Sequence, residues 1–228
     1  MSDPKRTSPR ISVNKLGEYL LAKPGRRKRI LEDSKRPPDF IAPRYRDFYE
    51  AAPRFLASSP LDDNIIVSSI DAIQSRPAGS EWDEQNKVLN TDLLTNLLDI
   101  PDLLDIDRYT VIELPHAAIT MTIGEVEVSV RPELQLGITQ RDRELAGAIK
   151  LYTPKSFPLN QESGDYIATM VHRYCVQNFV GGGEVDYRHC YVVDVPSREV
   201  YTAPRSYSRR MSDIEAACFE IAALWPQI

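Results

Sequence analysis

Two charged residues stand inside stretches that otherwise read as strand. Glu133 lies in Arg131-Pro132-Glu133-Leu134, at the end of an alternating run, and Lys150 lies in Gly147-Ala148-Ile149-Lys150-Leu151-Tyr152. A carboxylate is an oxygen ligand for a hard divalent cation such as Mg²⁺, which is usually bound through one or two carboxylates with several waters retained. Such a cation stabilises charge on a transferring phosphate and lowers the pKa of an attacking water, which is what phosphodiester hydrolysis requires. Each residue also has a plainer reading. Glu133 is one of several polar residues on a solvated strand face, and Lys150 snorkels from the end of a buried strand.

A second chemistry is electrostatic. Arg26-Arg27-Lys28-Arg29, followed by Lys35-Arg36, is the densest basic cluster, and residues 1–60 carry fourteen Lys and Arg against seven Asp and Glu in a chain of net charge −5. Arg26, Arg27, Lys28 and Arg29 are therefore candidates for binding nucleic-acid phosphates, with an affinity that falls steeply with salt. The alternatives are a solvated helix face, or basic residues docked on the acidic remainder of the chain.

Other signatures point away from chemistry. Cys175, Cys190 and Cys218 are too few and too scattered for a disulfide framework. A zinc site from His172, Cys175, His189 and Cys190 would need two neighbours in a strand to point the same way, so buried free thiols are expected. Gly181-Gly182-Gly183 ends a helix instead of opening one and lacks the Lys-Ser/Thr partner of a phosphate loop. No stretch approaches the length of a membrane span, and the polar, basic N-terminus lacks an apolar signal core. A cytoplasmic protein with no membrane association is expected.

These residues must be positioned by the elements around them. Residues 1–9 read as a disordered leader, and 10–79 as a helical N-terminal region. Within that region Ser12 caps a helix bearing Val13, Leu16, Tyr19 and Leu20, and Pro24-Gly25 breaks it. A second helix runs through Ile30 and Leu31, and a third carries Tyr45, Phe48, Tyr49 and Phe55. Asp62 or Asp63 opens a helix with Ile66 and Ile73, and Ser80 caps one with Leu89, Leu93, Leu94 and Leu97. No strand is expected in the first hundred residues. Strands follow at Val111–Leu114 and Ile119–Ile123, and along an alternation that puts Val126, Val128, Val130, Pro132 and Leu134 on one face with Glu133 on the polar one. A further strand covers 147–152, in which positions 148 and 150 share a face. Asn160 opens a helix with Tyr166, Ile167, Met170, Val171 and Tyr174 inward. Tyr191–Val195 reads as a central strand with 199–203 beside it, and Met211, Ile214, Cys218, Ile221 and Trp225 form a closing helical stripe.

From about residue 80 the order helix, three strands, helix, strand resembles the core of the PD-(D/E)xK nuclease superfamily, also called restriction-endonuclease-like. Arg131-Pro132-Glu133-Leu134 stands where that family has its first acid, and Ala148-Ile149-Lys150 stands at its acid-x-Lys motif. Ile11-Ser12-Val13-Asn14-Lys15-Leu16, with Tyr19 and Pro24, looks like the N-terminal segment of the RecB-like exonuclease branch. The helix bearing Asp165 and Tyr166 resembles that branch's Gln-x-x-x-Tyr helix without its Gln. The resemblance implies an α/β protein whose αβββαβ core spans 80–228 behind a helical extension, acting on DNA with Mg²⁺. In it Glu133 binds the metal and Lys150 positions the attacking water. Ala148 replaces the second acid, so a helix-borne carboxylate would have to complete the site. Glu81, Glu84, Glu162 and Asp165 are the candidates, with Asp165 assigned as the metal ligand. The same departure implies an alternative, a non-catalytic nucleic-acid-binding or scaffolding subunit working beside a protein partner. An α/β interaction domain unrelated to nucleases is a third reading.

Overall fold

A computed structural model describes residues 6–37, 44–117, 119–179 and 183–228. Its first element is a strand, β1 (Arg10–Ser12), which the sequence reading lacks. Three residues are too few to show an alternation, and β1 exists only because it pairs in parallel with residues 127–129. Ser12 then caps α1 (Val13–Leu21) by accepting from the Lys15 N–H, as its side chain predicts. Pro24 does not simply stop α1. It occupies the start of α2 (Pro24–Lys35), where its missing N–H costs nothing and its fixed φ suits the helix.

Next come α3 (Arg46–Leu56), α4 (Asn64–Ser75), α5 (Glu81–Leu97) and the short α6 (Ile100–Leu104). Ser80 caps α5 by accepting from the Asp83 N–H. The strands are β2 (Thr110–Glu113), β3 (Ile119–Ile123), β4 (Val126–Val130), β5 (Leu134–Gln140) and β6 (Arg143–Tyr152). Then follow α7 (Gln161–Asn178), β7 (Glu184–Asp194), β8 (Glu199–Thr202) and α8 (Tyr207–Leu224). Asn160 forms a reciprocal capping box with Ser163 at the start of α7. Of the glycine run after α7, Gly181 and Gly182 lie outside the described residues, and Gly183 has a φ of +99°.

The chain is mixed α/β. A five-stranded sheet has the order β2-β5-β6-β7-β8, and a three-stranded sheet has the order β1-β4-β3. In the larger sheet β2, β5 and β6 run antiparallel, α7 carries the chain over to β7 parallel to β6, and β8 returns antiparallel. Its two faces are covered by different helices. Ala148, Tyr152, Cys190 and Val192 pack with α1, α7, α8 and the small sheet, whereas Ile149, Leu151, Tyr191 and Val193 pack with α3, α4 and α5. Both clusters draw residues from either side of position 80. Of the segment expected as a leader, residues 1–5 lie outside the described residues. Arg6 donates to the Lys35 carbonyl, and the Pro9 carbonyl accepts from Glu127. Among the described residues no helix is long and apolar enough to cross a membrane.

The long alternation from Val126 to Gln135 is two strands in two sheets. Val126, Val128 and Val130 enter the cluster of α1, α7 and α8, but Leu134 and Leu136 enter the opposite one. The break falls at Arg131-Pro132-Glu133, where Pro132 has no N–H to give to a ladder. Glu133 is consequently not on a solvated face; it is 2% exposed. The next strand also starts earlier than residue 147. Arg141 and Asp142, with φ of 51° and 60°, form a two-residue turn that suits the twist of a hairpin, so Arg143 and Glu144 already pair with Gln140 and Thr139.

Candidate functional site

The bend at residues 131–133 creates the site. β5 pairs with β6 only from Leu134 opposite Ile149 onward, and the Glu133 N–H donates to the Ile149 carbonyl. Upstream of it the chain turns away to β4 in the other sheet, so the Leu151 N–H has no strand partner on that side. The Glu133 carboxylate takes that place and accepts from it through Oε2 at 2.6 Å. Its other oxygen, Oε1, lies 3.6 Å from Lys150 Nζ and 3.8 Å from Arg131 Nε and has no hydrogen bond. Lys150, 5% exposed, donates to the Arg131 carbonyl at 3.1 Å. Glu133 and Lys150, singled out from sequence, are thus brought together across adjacent strands.

Both groups are driven toward neutrality. Burial pushes the Glu133 carboxyl above its ordinary range, opposed by Lys150, the Leu151 N–H and Arg131. Burial pushes the Lys150 amine down, opposed by Glu133 and reinforced by Arg131. The pair survives because each charge compensates the other where water cannot.

Around it is a cavity of about 180 Å³ lined by Ser12, Asn14, Tyr49, Ser129, Arg131 and Lys150. The N-terminal segment singled out from sequence delivers Ser12 and Asn14, because β1 lies beside β4. Asn14 Oδ1 is buried without a hydrogen-bond partner. Tyr49 is fixed by its hydroxyl, 3.2 Å from the Leu151 carbonyl, and carries the Arg131 guanidinium 5.2 Å from its ring centroid. Tyr49 and Arg131 also line a neighbouring bowl of about 610 Å³, together with Arg44, Tyr45, Arg46 and His116. None of these bowl residues was assigned a role from sequence. The only signal was Arg131, two positions before Glu133.

The donor set does not fit Mg²⁺. No carboxylate is among the residues lining the cavity. Glu133, buried beside it, accepts from the Leu151 N–H and lies 3.6 Å from the Lys150 ammonium, while position 148 is a methyl group. Asp165 accepts from Gln161 at 2.7 Å and from Arg210 of α8 at 3.0 Å. Glu162 also leans on Arg210, and Glu81 and Glu84 are exposed at the start of α5. None of these four acids shares a polar partner with Glu133. Among the described residues no group of three or more His, Cys, Asp or Glu side chains is placed to hold a metal, and Cys175, Cys190 and Cys218 are free and buried.

The basic run is divided. Arg26 pairs with Glu18 at 2.6 Å, and Arg27 pairs with Glu220 at 3.2 Å while donating to the Tyr19 and Leu20 carbonyls. These two arginines tie α2 to α1 and α8. Lys28, 3.9 Å from Glu32, and Arg29 are exposed.

A second buried polar cluster lies elsewhere on the sheet. His189 Nδ1 is 2.8 Å from the Tyr109 hydroxyl, which is 2.9 Å from the Tyr191 hydroxyl and accepts from Arg108 at 2.6 Å. His189 Nε2 is buried without a partner, and burial lowers the pKa of the ring. A depressed histidine pKa means that the folded state resists protonation. Its contribution is complete above the unfolded value near 6.5 and is lost as pH falls toward the folded one. His189→Gln is therefore expected to flatten the fall in unfolding free energy between pH 7 and 5. Parallel denaturation curves of variant and wild type give the comparison, and identical slopes would remove His189 from the account.

Neither the models of known protein families nor the curated proteins yield a match to this chain.

Proposed function

We propose that this chain is a nucleic-acid-binding protein built on a restriction-endonuclease-like core, which seats phosphodiester groups and does not cut them. The observation that carries the reading is the cavity at Lys150 and Arg131. Arg131 and Lys150 line it, and with the buried Glu133 carboxylate beside Lys150 they leave one net positive charge, which matches the single negative charge of a phosphodiester. Ser12, Asn14 and Ser129 surround that charge with further hydrogen-bonding groups, as phosphate sites commonly do. The large sheet supports the fold assignment: β2, β5 and β6 are antiparallel neighbours, with β3 and β4 inserted between β2 and β5 and lying in the other sheet, and α7 crosses over to β7 parallel to β6. A protein partner for which this chain serves as the DNA-binding subunit is compatible with the same site. A metal-dependent nuclease remains the second reading, favoured by the one Glu133 oxygen that lacks a hydrogen bond.

Anisotropy of short labelled DNA, titrated with the protein across a salt series in EDTA and in Mg²⁺, separates these readings. Binding is expected in EDTA, with log affinity falling linearly in log salt and no product in Mg²⁺. Arg131→Ala should weaken binding by on the order of 1–3 kcal/mol and lower the salt slope by about one. Absence of binding at low salt would dismiss the proposal. Mg²⁺-dependent cleavage abolished by Glu133→Gln would establish the nuclease instead.

A further inference from the structure

We infer that the bowl beside the phosphate cavity takes an unpaired nucleobase, so that the nucleic acid bound here is single-stranded at the point of contact. The inference rests on the phosphodiester reading above and adds the form of the ligand.

The bowl has a built aromatic corner. Tyr49 is held in place by its hydroxyl contacts to the Leu151 carbonyl and Thr153 and by Phe48, whose ring meets it edge-on at 5.3 Å. Arg131 lies over it. Tyr45 stands nearly perpendicular to Tyr49, with centroids 6.5 Å apart and an interplanar angle of 88°. Two rings at a right angle give a flat ligand one wall to stack on and a second to abut. A base within a duplex has both faces covered by its neighbours, so only an unpaired base offers a face to such a wall.

The arrangement of charge agrees. Tyr49 and Arg131 line both the bowl and the phosphate cavity, so a ligand spanning the two meets a stacking surface at one end and a cationic seat at the other. Arg44 and Arg46 also line the bowl, as does Glu50, which pairs with Arg46 at 2.7 Å and leaves Arg44 as the added charge. The volume, about 610 Å³, falls within the range of about 300–1,000 Å³ typical of small-molecule sites.

Three labelled probes of equal length decide the matter: a single strand, its duplex, and a strand whose central nucleotides are abasic. The single strand is expected to bind about tenfold tighter than either of the others. Tyr45→Ala should bring the intact strand down to the affinity of the abasic one while leaving the abasic strand unchanged, and Tyr45→Phe should restore the difference. The thermal midpoint of Tyr45→Ala, expected to match wild type, excludes misfolding as the cause. Equal binding of all three probes, unaffected by Tyr45→Ala, would overturn the base pocket and leave the phosphate seat standing. Binding of none of them would remove both.

Discussion

Lys150→Met should cost about 3–5 kcal/mol of folding stability, because it strands the Glu133 carboxylate in a site that is 2% exposed. Removing one partner of a buried pair leaves the other paying its desolvation without return. The loss should depend on pH in a definite direction. Burial already raises the Glu133 pKa, and without the ammonium it rises further. A carboxyl with a raised folded pKa contributes fully below its unfolded value and loses that contribution as pH rises. The deficit of Lys150→Met should thus be smallest in acid and grow toward neutrality. Glu133→Gln should be milder, since the amide oxygen still accepts from Leu151 and the lysine, its pKa already lowered, can shed its proton. The double variant Lys150→Met with Glu133→Gln should recover about 2 kcal/mol relative to Lys150→Met, a non-additivity expected of contacting charges. Chemical denaturation of all three checks this. Additive losses below about 1 kcal/mol each would show that the pair is not coupled as its burial implies.

Gly147→Ala should be the most damaging glycine-to-alanine change among the described residues. A Cβ at position 147 would stand 1.9 Å from the His189 carbonyl oxygen and 2.5 Å from its carbon, both main-chain atoms that cannot rotate away. The close approach exists because β7 bulges against β6: Ala146 pairs with Val185, yet Ala148 pairs with Cys190. Relieving the contact means separating the two central strands that position Lys150, so a loss above about 4 kcal/mol, or no soluble folded protein, is expected. Gly137→Ala is the control. Its nearest neighbours are 3.9 Å away, and replacing glycine in a strand is worth about 0.5–1 kcal/mol when the methyl has room. Comparable behaviour of the two variants in thermal unfolding would mean that β6 and β7 do not pack at this distance.

Much of the helical architecture was legible locally. Ser12, Ser80 and Asn160 each accept from the backbone N–H three residues on, and each was readable as a cap because that hydrogen bond involves only neighbours in sequence. The stripes of α7 and α8 follow from the 3.6-residue period, and the apolar run at Tyr191–Val195 needs no partner to identify it as buried strand. Glu133 and Lys150 were singled out through the motif resemblance; by pattern alone Glu133 was one polar residue among several on its strand face.

What could not be read were the consequences of pairing at a distance. β1 is a strand only through β4, more than a hundred residues later, so no local pattern betrays it. An alternation reports that successive side chains oppose each other, but it does not say which sheet receives them. Val130 and Leu134 therefore share a sequence face and enter different cores. The same bend decides the role of Glu133: the departing strand leaves Leu151 without an acceptor, and the carboxylate replaces it. Asp165 was chosen for its charge and its helix, and the packing of α7 on α8 gave it to Arg210. The residue types and their local periods were set by the chain itself. Which charge meets which was settled by the strand register and helix packing, because an ion pair is fixed by distance in space and not by separation in sequence.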